Sequence, residues 1–121
     1  MNIHKRIAIA KSNEPAGLWC HGTAAFMAGL IDSDQGFGCL RLRALLKEKA
    51  ELTDDPRSGD VAVMLFNGYA THAAVVLDFP SQLVHRDGNG QPVVELSFEE
   101  MKNERGWPQH EYQFWRPKED S

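Results

Sequence analysis

The chain predicts an α+β domain, with helices first and antiparallel strands after. Three observations point there. Apolar residues recur at spacings of three and four as far as residue 52. From residue 60 onward they fall in short, nearly continuous runs. Tight-turn sequences, Asn67-Gly68 and Asp87-Gly88-Asn89-Gly90, then separate those runs. Runs of helix followed by runs of strand are the pattern of segregated α+β architectures.

In chain order, residues 1–17 read as a polar segment ending in the loop Asn13-Glu14-Pro15-Ala16-Gly17. From Cys20 to Ile31 the pattern is helical, with Ala24, Met27, Ala28 and Ile31 on one face. Asp32 to Gly38 breaks it. Cys39 to Leu52 reads as a second helix, with Leu42, Leu45, Leu46 and, out of character, Lys49 on one stripe. Asp60 to Phe66 reads as a buried strand and Thr71 to Leu77 as its hairpin partner. Gln82–Arg86 and Pro92–Leu96 follow as two more. Ser97-Phe98-Glu99-Glu100 fits a capping box opening a short helix. Glu111 to Trp115 reads as a last strand closed by Pro117, with Trp107 and Trp115 packing the C-terminal segment onto the sheet.

The 121 residues suit a single domain, 1–121. Apolar residues at 42% and charged residues at 25% are enough for one core without disulfide or metal support. A net charge of -4 argues against nucleic acid and anionic membranes as partners. The densest basic cluster, Arg41, Arg43, Lys47 and Lys49, reads as a solvated helix face. No leader segment and no spanning run is visible, so the default compartment is cytoplasmic unless another route exports the chain.

Two cysteines are present, and their settings differ. Cys39 enters an apolar stretch and reads as core. Cys20 heads a helix, where unpaired N–H groups and the positive dipole end favour a thiolate. Gly22, Thr23, Ala24 and Ala25 leave its first turn uncrowded. His72 opens a strand that is apolar on both faces, so its ring nitrogens need partners: a backbone group, or the Cys20 thiol. His85 ends the next strand and could orient His72, with Asp87 in the following turn as its rival. His4, His21 and His110 read as surface residues. Trp19 could wall a cleft or pack in the core.

Taken in order, a cysteine heading a helix, Gly59-Asp60-Val61-Ala62-Val63, Thr71-His72-Ala73-Ala74-Val75-Val76 and Leu83-Val84-His85 resemble the NlpC/P60 family of papain-like cysteine peptidases. The resemblance covers roughly residues 18–97. It implies a papain-like fold with Cys20 as nucleophile, His72 as base and His85 as orienting residue. Trp19, His21 and Asp87 would lie against the substrate. The sequence departs from the family at the nucleophile, where Trp19-Cys20-His21-Gly22 stands in place of Asp-Cys-Ser-Gly. The order of cysteine before histidine sets it apart from the circularly permuted branch that includes acyltransferases.

The implied activity is hydrolysis of a peptide or amide bond, with cell-wall peptides the leading substrate. Without a wall-binding domain the enzyme would act on small fragments or reach its substrate through a protein partner. A deamidase or acyltransferase using the same pair, and a non-catalytic assembly module, are the other classes. No cofactor or metal is expected, since Cys-x-x-Cys and histidine pairs at helical spacing are absent. A phosphatase loop would need arginine where Phe26 stands, and the glycines form no phosphate cradle.

Overall fold

The computed structural model describes residues 2–105 and 111–118, with the side chains of residues 104 and 105 outside that description. Trp107 and His110 therefore lie outside it as well. The elements in order are α1 (Ile3–Ser12), α2 (Cys20–Met27), α3 (Cys39–Lys49), β1 (Ala50–Thr53), β2 (Val61–Phe66), β3 (Tyr69–Asp78), β4 (Gln82–Arg86), β5 (Val93–Leu96), α4 (Phe98–Arg105) and β6 (Glu111–Pro117). The six strands form one antiparallel sheet in the order β1-β6-β2-β3-β4-β5. The α+β class is thus as expected, and the His72 strand, β3, is interior with β4 beside it.

Each face of the sheet carries its own core. On one face Ala24 and Ala25 of α2 and Leu42, Leu45 and Leu46 of α3 cover Val61, Val63 and Ala73. Beside them Ile7 and Ala10 of α1 join Phe26 and Met27 over Val75, Val84 and Val93. On the other face Met101 of α4 closes over Ala62, Ala74, Val76, Leu83 and Leu96, edged by Phe79, Phe98, Tyr112 and Phe114. Burying each large apolar side chain contributes roughly 1.5–3 kcal/mol. Two alternating faces, both apolar, explain why β2 and β3 read as continuous apolar runs.

Four elements depart from the sequence expectation. Residues 3–12, read as polar, form α1: the Asn2 side chain accepts from Lys5 N at 2.9 Å, and Ile7 and Ala10 bury the inner face. Helix α2, expected to run from Cys20 to Ile31, stops at Met27. Gly29 N–H donates back to Phe26 O at 3.0 Å and Leu30 N–H to Ala25 O at 2.9 Å, closing the C-terminal turn. Helix α3, expected to run to Leu52, stops at Lys49, because residues 50–53 are the edge strand β1 on β6. Lys49 is exposed, with Nζ donating to Leu30 O at 3.2 Å. Strand β3 begins two residues early, at Tyr69, after a turn in which Asn67 (φ 51) and Gly68 (φ 80) both take left-handed backbone.

Two sequence features are found as read. Ser97 and Glu100 exchange hydrogen bonds, Ser97 N to Glu100 Oε1 and Glu100 N to Ser97 Oγ, both at 3.0 Å. Asp60, at the entry of β2, is 1% exposed. Its Oδ2 accepts from Arg57 N at 2.8 Å and Arg116 Nη2 at 2.9 Å, and its Oδ1 from Arg116 Nε at 3.1 Å. The carboxylate thus ties the start of β2 to the end of β6.

Candidate active site

Cys20 is the first residue of α2, with Trp19 as an extended N-cap. No acidic side chain stands in the first turn to oppose a thiolate there. The turn is held from behind by the segment before α3. A Cβ at Gly22 would lie 1.7 Å from the Gln35 carbonyl oxygen, so only glycine fits. Cys20 itself is 5% exposed.

The neighbouring His21 corrects an expectation. Read as a surface residue, it is 7% exposed and faces inward. Its Nε2 lies 2.7 Å from Ala70 O, so that nitrogen carries the proton and donates. Nδ1 is then the acceptor, and it lies 3.5 Å from Cys20 Sγ. A thiol, a histidine and a fixing carbonyl therefore run in sequence from α2 to β3. The available signal was the histidine that directly follows Cys20 at the head of the helix.

His72 and His85 are brought together by the β3–β4 pairing. His72 Nε2 lies 2.7 Å from His85 Nδ1, with the rings edge to face at 85° and centroids 4.9 Å apart. Both are buried, at 0% and 1% exposure. Asp87, exposed in the turn after β4, has a carboxylate oxygen within 4.8 Å of a nitrogen of each. In register, His72 faces Met64, and Thr71 is the extra residue of a bulge between Met64 and Leu65. By strand alternation His72 stands with Ala74 and Val76, and His85 with Leu83, on the face that α4 covers. Helix α2 rests on the other face, over Ala73 and Val75.

An open pocket of about 480 Å³ lies against Trp19 and His21, the two neighbours of Cys20 in the chain. Trp19 and His21 line one side, and Tyr69, Ala70 and Thr71 the other. Trp19 is 44% exposed, so it walls this cleft and is not core. Cys39, expected in the core, is half-buried and stands in the pocket wall. It opens α3, so its side chain lies at the edge of the helix's buried stripe.

Sequence reading passed over one buried polar centre. Arg86 is 1% exposed and donates to Thr23 Oγ1 (2.8 Å), Gln91 O (2.6 Å), Ala10 O (3.3 Å) and Asp34 Oδ2 (3.0 Å). Thr23 in turn donates to Asp34 Oδ1 at 2.7 Å. An arginine at the end of an apolar strand, on the same face as Val84, was the available sign.

Comparison of the chain with family models, with curated proteins and with solved structures finds no match. Among the described residues, no helix is long and apolar enough to cross a membrane.

Proposed function

We propose that the protein is a cysteine hydrolase of peptide or amide bonds, with Cys20 as nucleophile, His72 as base and His85 as the residue that orients it. The observation that carries the reading is the buried His72–His85 bond. It commits His72 Nε2 to His85, so proton transfer falls to Nδ1. In the required tautomer His72 Nε2–H donates to His85 Nδ1. When Nδ1 takes the thiol proton, the resulting imidazolium keeps that bond and gains from it.

The thiolate then attacks the carbonyl, with the Cys20 backbone N–H as one donor to the oxyanion. His72 returns the proton to the leaving amine, and water activated by His72 releases the acyl group. The order of motifs that resembles the NlpC/P60 family supports a peptide substrate, with cell-wall peptides the leading class and a papain-like fold its frame. Helix α2 rests on the Ala73 and Val75 face and His72 stands on the other, so this reading requires Cys20 to reach His72 around the end of β3, past the Thr71 bulge.

A second reading has its own observation. The 3.5 Å approach of Cys20 Sγ to His21 Nδ1 favours His21 as the base, fixed by Ala70 O. The 5% exposure of Cys20 favours a third, a non-catalytic module that keeps the fold.

Alkylation by iodoacetamide across pH, with the labelled site assigned by mass spectrometry, separates them. Cys20 is expected to react much faster than Cys39 at neutral pH, and His72→Ala to remove that advantage. Loss with His21→Ala alone assigns the base to His21. Equal rates at the two cysteines reject a catalytic Cys20. The bifunctional reagent 1,3-dichloroacetone is expected to bridge Cys20 to His72. Cys20→Ala and His72→Ala are each expected to end turnover of a peptide and amide panel; Cys20→Ala should change the thermal midpoint little, whereas His72→Ala, which opens a cavity and removes the buried partner of His85, should lower it.

A further inference from the structure

We infer that His72, His85 and Asp87 form a binding site for a divalent first-row transition ion, zinc above all. The inference does not depend on the hydrolase reading. Each of the three residues offers one ligand atom, and the three atoms lie within 4.8 Å of one another. Two imidazoles and a carboxylate are a donor set for zinc and its neighbours, whereas calcium and magnesium take oxygen. The two histidines are held on adjacent strands and are 1% exposed or less, so little ordering remains to be done. Asp87 is exposed and stands in a turn, which gives the ion a way in and gives the carboxylate room to close on it.

The present geometry suits a proton more closely than a metal. Two nitrogens at corners of a tetrahedral zinc site, each bonded at about 2.0–2.1 Å, lie about 3.3 Å apart. His72 Nε2 and His85 Nδ1 are 2.7 Å apart. Binding therefore replaces the proton shared by the two rings and moves them apart by about half an ångström. The proton on His72 Nε2 moves to Nδ1, so both rings bind as neutral imidazoles; one ion enters, water supplies the fourth position, and no oxidation state changes. An ion held there occupies the nitrogen through which His85 orients His72, so on the hydrolase reading zinc would inhibit.

The sequence expectation of no metal came from spacing rules for helices and for cysteine pairs. Those rules do not see two histidines that meet across a β-ladder.

Titration of the intact protein with Co²⁺ tests the site without any assay of activity. Visible d–d absorption of tetrahedral Co²⁺ is expected to saturate at one equivalent and to be displaced by Zn²⁺. Asp87→Ala, a change at an exposed turn residue, and His85→Gln are each expected to weaken binding about tenfold or more. Thermal midpoints show that both variants are folded. The proposal is overturned by absence of the absorption at stoichiometric Co²⁺, or by absorption that both variants leave unchanged. It is overturned too by a thiolate-to-metal band lost only in Cys20→Ala, which would move the ion to Cys20 and His21.

Discussion

His85 and Arg86 are consecutive in β4, each 1% exposed, and they serve opposite faces of the sheet. Arg86 reaches into the α1–α2 side and finds Asp34, Thr23 and two backbone carbonyls. Toward the guanidinium, which can only donate, every one of those partners accepts, so the directions of these hydrogen bonds are fixed. His85 turns to the α4 side and meets another histidine. In that pair either ring can be the donor, so a proton or an ion can be exchanged without taking the fold apart. Burial is the same at the two sites; interchangeability of partners is what differs. That difference marks one as scaffold and the other as a place where chemistry can occur.

The largest expected effect lies on the scaffold side. Arg86→Ala leaves the Asp34 carboxylate, 1% exposed, without its cation and should lower unfolding free energy by about 3–5 kcal/mol in urea titrations. The double variant Arg86→Met with Asp34→Leu should recover much of that loss, because an apolar pair replaces a buried ionic one at little cost. No recovery would mean that the hydrogen bonds to Thr23 and the carbonyls, not the charge pair, hold the two layers.

On the other side of the strand the pattern should reverse. His85→Gln keeps a polar partner for His72 and should change stability by about 1 kcal/mol or less. It should slow neutral-pH alkylation of Cys20 about tenfold or more if His85 sets the His72 tautomer. Unchanged alkylation alongside a large drop in thermal midpoint would erase the contrast between the two neighbours.

The smallest effect concerns Tyr112, at the edge of the α4 face. Burial, aided by the Glu99 charge, pushes its phenol above the ordinary value of 10.0. The native state then holds a proton that the unfolded chain releases. Stability is fully present below pH 10 and declines as pH rises through the native value. Tyr112→Phe should flatten that alkaline decline and leave neutral-pH melting nearly unchanged.

Legibility in the sequence followed the range of the interaction. Strand β4 was readable to the residue because Leu83 and Val84 are bounded by polar residues and a turn. The capping box at Ser97 was readable because both partners lie within four residues. Strand β1 was not: Ala50-Glu51-Leu52-Thr53 continues a helical stripe, and only pairing with β6, sixty residues on, makes it extended. Helix α1 was overlooked because Ile3, Ile7 and Ala10 make a narrow stripe among polar residues.

At the candidate site, the helix-start position of Cys20 followed from the helical spacing after it, and the adjacency of His72 to His85 from a meander of successive strands. The inward turn of His21 depends on a carbonyl in β3, which no local pattern discloses. The Arg86 centre joins residues 34 and 86 and was equally hidden.

Gly22 has a consequence for how this protein would tolerate change. On the hydrolase reading, a map of all single substitutions scored by turnover would show Cys20 and Gly22 as columns that accept nothing else, two positions apart. Scored by catalytic output alone, the two columns would be indistinguishable. Scored by cellular abundance they would separate. Cys20, 5% exposed, would then accept other small residues such as Ala and Ser, while Gly22, pressed against the Gln35 carbonyl, would stay closed to every residue that carries a Cβ.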